Sequence, residues 1–267
     1  MSTPGHLLDL RHDLHRHPEL RFAEHRTAGI LAERLAALGY RVRRGVGGTG
    51  VVGVLDGDRP GPSLLLRADM DALPVVDRTV SDHASSTAGA SHACGHDVHM
   101  VVVLGVAERL ATHGIARGRV VVAFQPAEER PFGERSGAQA MLDDGLFADG
   151  EPSAVLGLHC WPDLSAGEMG VDERIAMGAK DAFSVELRGR GAHAATPSRG
   201  QDAVLGVGAL ITELHAGIGR ALDATDRAAF NIGTVAGGRS QSGSRTRPCS
   251  RAPCARWTRR CARGCVP

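Results

Sequence analysis

Four short apolar runs constrain this chain more than any other feature: GVVGVLDG, SLLLRADMD, RVVVAFQPAEE and AVLGLHC. Each is rich in Val and Leu and is strand-sized rather than helix-sized. Between the second and third lies VHMVVVLGVAERLATHG, and between the third and fourth AQAMLDDGLF, both helical in pattern. Upstream, LLDLRHDLHRHPEL carries Leu7, Leu10 and Leu14 at helical spacing. TAGILAERLAALGY continues with Ile30, Leu31, Leu35 and Leu38 before Gly39, a favourable helix stop. Continuously apolar strands alternating with helices predict an α/β fold, a mostly parallel sheet flanked by helices.

The texture shifts from about residue 172. DAFSVELRGRGAHAATP alternates like a strand, QDAVLGVGALITELHAGIG has the pattern of an amphipathic helix, and AAFNIGTVAGG reads as another strand. That order predicts a second, α+β domain. No fixed-period repeat interrupts either part.

Composition excludes several classes. The net charge of +1 over 267 residues gives no nucleic-acid signature. No run approaches the roughly 18 apolar residues of a membrane span. The N-terminal stretch lacks the basic and apolar regions of a signal peptide. Six Cys are present, but Cys249, Cys254, Cys261 and Cys265 crowd the end, leaving Cys94 and Cys160. That is no secreted disulfide framework, and a cytoplasmic location is the expectation.

Three of the apolar strands run directly into polar groups: SLLL into Asp69 and Asp71, VVVAF into Glu128 and Glu129, and AVLGL into His159. In an open parallel sheet, ligands bind at the carboxyl ends of the strands. The stretch HACGHDVHM, residues 92–100, sits at the mouth of a helix beside the same edge. Cys94, His96, Glu129 and His159 can therefore converge as a thiolate, two imidazoles and a carboxylate, a donor set suited to Zn²⁺ or a similar divalent ion. A helix N-terminus also lowers a thiol's pKa, which favours Cys94 as thiolate. Each feature alone has a bland explanation, because Glu pairs are usually solvated and strand-end Asp residues often cap helices. Their recurrence at successive strand ends does not. His12, His15, His17 and His99 fit better as helix-surface groups or as supports behind the ligands.

RHDLHRHPEL, RADMDALPV, HACGHDVHM, FQPAEE, GLHCWPDLSAGEMGV and GAHAATP, in this order, resemble the motifs of a known family. It comprises the bacterial and plant amidohydrolases that include hippurate hydrolase and the auxin–amino-acid conjugate hydrolases, within the larger group of aminoacylases and metallo-carboxypeptidases. The match runs from about residue 7 to about residue 238. RPFGERSG, after PAEE, is a few residues longer than the usual turn.

The resemblance implies Cys94, His96, Glu129 and His159 as ligands of two divalent metal ions, Mn²⁺ or Zn²⁺. It implies Glu128 as general base, Asp71 and Asp97 as residues orienting the ligands, and His193 as the group meeting the substrate's carbonyl or carboxylate. The implied substrate is a small N-acyl amino acid, with no nucleic-acid or membrane partner and a homodimer formed through the lid domain. The implied domains are a metal-binding catalytic domain over 1–172 and an incomplete, ferredoxin-like α+β lid over 173–238.

Residues 239–267 do not fit. They hold eight Arg, four Cys and no acidic residue. Read in a shifted frame with GC-rich codons, this tail can give DTAVLEGTVRTLDAAV, which resembles what the family carries there. The expectation is an out-of-frame tail in place of a long further segment with one more metal-binding His. A truncated chain of this kind is expected to retain at most partial metal binding and to turn nothing over, as the alternative to an active amidohydrolase. A basic arm binding nucleic acid or anionic lipid is the weaker reading of the tail.

Overall fold

The computed structural model describes residues 4–131, 133–171, 182–223 and 228–238. The tail over 239–267 lies outside them. The chain divides into two compact units, Met1–Gly170 and Val171–Pro267.

In the first unit, helix α1 (Gly5–Arg16) buries Leu7, Leu10 and Leu14 on one stripe, and α2 (His25–Ala37) buries Leu31, Ala32 and Leu35. Strands β1 (Arg41–Val46) and β2 (Gly50–Asp56) form a hairpin, followed by β3 (Ser63–Asp69). Helix α3 (His96–His113), strand β4 (Arg119–Gln125), helix α4 (Gly137–Asp143) and strand β5 (Ala154–Gly157) complete the unit. Side chains alternate across β4. Val120, Val122 and Phe124 join the core beneath α1, α2 and α3, while Val121 and Ala123 pack with Met141 of α4 on the opposite face. Burial on both faces is why these strands read as unbroken apolar runs.

The sheet order is β1-β2-β4-β3-β5. Pairings β3–β4 and β3–β5 are parallel, but β1–β2 and β2–β4 are antiparallel. The sheet is therefore mixed, and the expectation of a mostly parallel sheet is wrong. One cause is the six-residue link from β2 to β3, too short for a parallel crossover; the other is β1: RVRRGV is too charged to read as a buried strand, yet it pairs with β2. Three residues, Gly47 to Thr49, separate the two strands, and so short a link permits only an antiparallel pair. Gly47 and Gly48 make the turn at φ +70° and +108°.

In the second unit, η1 (Pro197–Arg199) precedes helix α5 (Ala203–Ala221), whose N-cap Asp202 accepts hydrogen bonds from the Val204 and Leu205 amides. An isolated antiparallel bridge joins Arg190 to Gln201. Among the described residues no strand ladder forms here, so the incomplete, ferredoxin-like α+β lid expected over 173–238 is corrected as well. A helix closes its hydrogen bonds within its own segment, whereas a strand needs a neighbour. No helix among the described residues is long and apolar enough to cross a membrane.

Candidate metal centre

The polar ends of β3, β4 and β5 meet the N-terminus of α3 at the carboxyl edge of the parallel half of the sheet. Gly95 caps α3 in the left-handed conformation, φ +82°, between Cys94 and His96. A Cβ at Gly95 would lie 3.2 Å from both Cβ and Sγ of Cys160, so the residue serves both the turn and the close approach of the β5 extension.

His96 lies at the middle of the site and is 1% exposed. Its Nδ1 donates to the Asp71 carbonyl oxygen at 2.7 Å. Its Nε2 is buried without a hydrogen-bond partner. That atom faces Asp69 Oδ2 at 3.7 Å and Glu129 Oε1 at 3.9 Å. Three overlapping sets of potential ligand atoms share His96, each with its atoms within 4.8 Å of one another: Cys94 with His159, Asp69 with His99, and Glu128 with Glu129. Cys94 Sγ lies 3.4 Å from His159 Nε2. All four expected ligands are thus present in one cluster.

Asp71 does more than its backbone contact with His96. Its two carboxylate oxygens accept the Glu128 and Glu129 amides at 2.9 and 2.8 Å, which fixes the turn carrying both glutamates. Ala127 begins that turn at φ +46°, a strained conformation for a residue with a side chain. Its amide is held by Glu24 Oε1 at 2.9 Å, and the other Glu24 oxygen accepts the Thr49 hydroxyl. Asp97 faces elsewhere. Its Oδ2 accepts Arg11 Nε at 2.8 Å and His15 Nδ1 at 2.9 Å, which joins α1 to the start of α3. His193 belongs to the second unit, where its Nδ1 accepts the Ala195 amide at 3.1 Å.

Glu24 and Asp69 are the residues that sequence reasoning passed over. Asp69 was visible as a strand-end carboxylate. It accepts His99 Nδ1 at 2.6 Å and Arg67 at 2.7 Å. Glu24 carried no signal, because a lone Glu ahead of a helix is ordinarily solvated. Of the two places expected for these histidines, helix surface or support behind the ligands, burial removes the first for His15 and His99.

The electrostatics call for positive charge. Burial raises the Asp69 carboxyl, but the His99 hydrogen bond and the charges of His96 and Arg67 outweigh it and hold the group at about 2. Burial pushes Glu128 upward, and Glu129 and Asp69 push it further. Burial would lower His96, yet its contacts with Asp71 and Asp69 raise it above its ordinary value. Cys94 moves opposite to the direction expected from the helix N-terminus: burial first, then Glu129, push its thiol up to about 12. Burial, with the neighbouring carboxylates behind it, outweighs the helix end, and a cation in the cluster would reverse the balance. The buried, unpartnered His96 nitrogen and the mixed sulfur, nitrogen and oxygen donors fit divalent metal ions.

Residues 65–237 match peptidase family M20/M25/M40. The chain belongs to that family. Among its M20 relatives, the N-acetyl-L-cysteine deacetylase of Bacillus subtilis is 37% identical over 87% of this chain and 55% of its own length. Hippurate hydrolase of Campylobacter jejuni is 36% identical over 89% of this chain and 61% of its own length. This chain therefore spans less than two thirds of either M20 relative. A Staphylococcus aureus structure described as an aminohydrolase aligns with a TM-score of 0.76 at 31% identity, covering 89% of this chain and 62% of that one. The YXEP protein of Bacillus subtilis, described as a dinuclear metal-binding peptidase of family M20, aligns with a TM-score of 0.57 at 37% identity, covering 63% and 46%.

Proposed function

We propose that this M20 chain is built for metal-dependent hydrolysis of the amide bond of N-acyl amino acids or related conjugates. The observation that carries the reading is the buried, unpartnered His96 Nε2, ringed by a thiol, carboxylates and two further imidazoles. In this reading Cys94, His96, Glu129 and His159 hold two divalent cations, Mn²⁺ or Zn²⁺. The catalytic domain covers 1–172 and the lid 173–238, with pairing of two copies through the lid. Bound there, such cations would supply Lewis-acid chemistry, acidifying a water and polarising the amide carbonyl.

The chain's own residues do the rest. Glu128, raised by burial and by its neighbour, accepts the water's proton and returns it to the leaving nitrogen as the C–N bond breaks. Asp71, through the two glutamate amides, keeps proton transfer and metal binding on adjacent side chains. Asp97 fixes the start of α3 against α1. To His193 this reading assigns the substrate's carbonyl or carboxylate, where an imidazole N–H would stabilise negative charge.

The test is turnover of N-acetyl and N-benzoyl amino acids by the purified full chain with Mn²⁺ or Zn²⁺. Release of the free amino acid, lost in Glu128→Gln while metal content is retained, is the expected result. No turnover on either substrate class, with at most one cation bound per chain, would leave the non-catalytic alternative that retains only partial metal binding.

A further inference from the structure

We propose that His99 is a positioning residue that sets His159 in the metal centre by way of the Cys160 amide; this rests on the reading of His159 as a ligand. The ladder between β3 and β5 ends at Gly157, two residues before His159. β5 is an edge strand with all four residues exposed, so the ladder alone holds its extension weakly. The Cys160 amide instead donates to His99 Nε2 at 2.9 Å. An N–H donor there requires the lone pair on Nε2, so the proton sits on Nδ1 and is donated to Asp69 at 2.6 Å. Both nitrogens of His99 are thereby used, and in this arrangement it cannot also bind a cation, although it lies within reach of one.

The series Asp69, His99, Cys160 amide, His159 links the end of β3 to the end of β5 through the first turn of α3. His99 lies one position short of a full turn beyond His96, so the helix that presents one imidazole to the cluster also sets the other. The His99 and His159 rings pack with centroids 4.7 Å apart, which limits how His159 can turn. His159 Nδ1 donates to the Cys160 carbonyl at 2.7 Å, leaving Nε2 toward Cys94. Imidazole suits this place because it accepts on one side and donates on the other.

The experiment uses the full chain, stripped of metal and titrated with Co²⁺, whose absorption reports thiolate and imidazole ligation. His99→Asn keeps a donor for Asp69 but does not reach Cys160; His99→Gln restores an acceptor at the longer reach. Cobalt affinity should fall about 10- to 100-fold in His99→Asn, as when other groups that orient metal ligands are removed. It should fall similarly in His159→Ala, and the double variant should be no weaker than His159→Ala alone. His99→Gln should recover most of the loss. In the metal-free chain, hydrogen exchange at the Cys160 amide should rise at least about tenfold in His99→Asn and stay near wild type in His99→Gln. Additive losses in the double variant, or Cys160 exchange unchanged in His99→Asn, would overturn the proposal. Wild-type chain that binds no cobalt, yet shows the expected exchange pattern, would instead overturn the reading of the site as a metal centre.

Discussion

The two units use similar apolar sequence to different ends. In the first, Phe124, Leu14, Leu31 and Leu104 are fully buried, and the sheet is covered on both faces. In the second, α5 has a clear apolar pattern but buries none of its residues, and Leu205 is 72% exposed. A helix closes its hydrogen bonds within its own segment, whereas burial has to be supplied by other elements. Apolar periodicity therefore reports which segments coil, and says less about which of them lie in a core.

The sharpest way to break this contrast is a pair of truncations. Phe124→Ala should cost about 3–5 kcal/mol of stability, the range for removing a buried aromatic side chain. Leu205→Ala should cost less than about 0.5 kcal/mol, as for an exposed position. Urea unfolding of both variants decides it, and equal shifts would erase the distinction.

A second, smaller effect comes from acid. His92 is buried with both ring nitrogens unpartnered, and burial holds its imidazole down at about 4. Between the ordinary imidazole value and about 4, the unfolded chain binds the proton first, so stability falls as the pH drops through that window. The loss approaches roughly 3 kcal/mol. Unfolding midpoints at neutral and mildly acidic pH, with chelator present, should show it in the wild type and not in His92→Gln. The first unit should carry this loss.

Smaller again is Asp71→Asn. The new NH₂ group cannot accept from the glutamate amide it faces, and the charge behind the other bond is lost. A destabilisation of about 2 kcal/mol is expected, with weaker Co²⁺ binding. A variant with wild-type midpoint and cobalt affinity would show that the glutamate turn holds itself.

Much of the first unit was legible, because strands buried on both faces announce themselves as Val/Leu runs and end in chemistry. β1 was hidden by Arg41, Arg43 and Arg44: Arg41 pairs with Asp149 and Arg43 donates to the Gly145 and Leu146 carbonyls, while the backbone pairs with β2. That omission concealed the β1–β2 pairing; the β2–β4 pairing follows from the six-residue link between β2 and β3, too short for a parallel crossover. At the site, residue types were legible but contacts were not. Asp71 was picked out as an orienting group, yet nothing in RADMD says that its oxygens bind the amides of residues 128 and 129. His99 follows His96 at i+3, a spacing that marks one helix face, and its burial was the missing fact.

The bracing of the glutamate turn has a consequence for the start of the chain. None of the proposed metal ligands precedes residue 94. Yet Glu24 holds the strained backbone at Ala127, and Arg11 and His15 hold Asp97. A shortened protein beginning at β1 would keep every one of those donors and lose the scaffolding that aims them, so the opening helices belong to the chemistry as surely as the residues that would grip the ions.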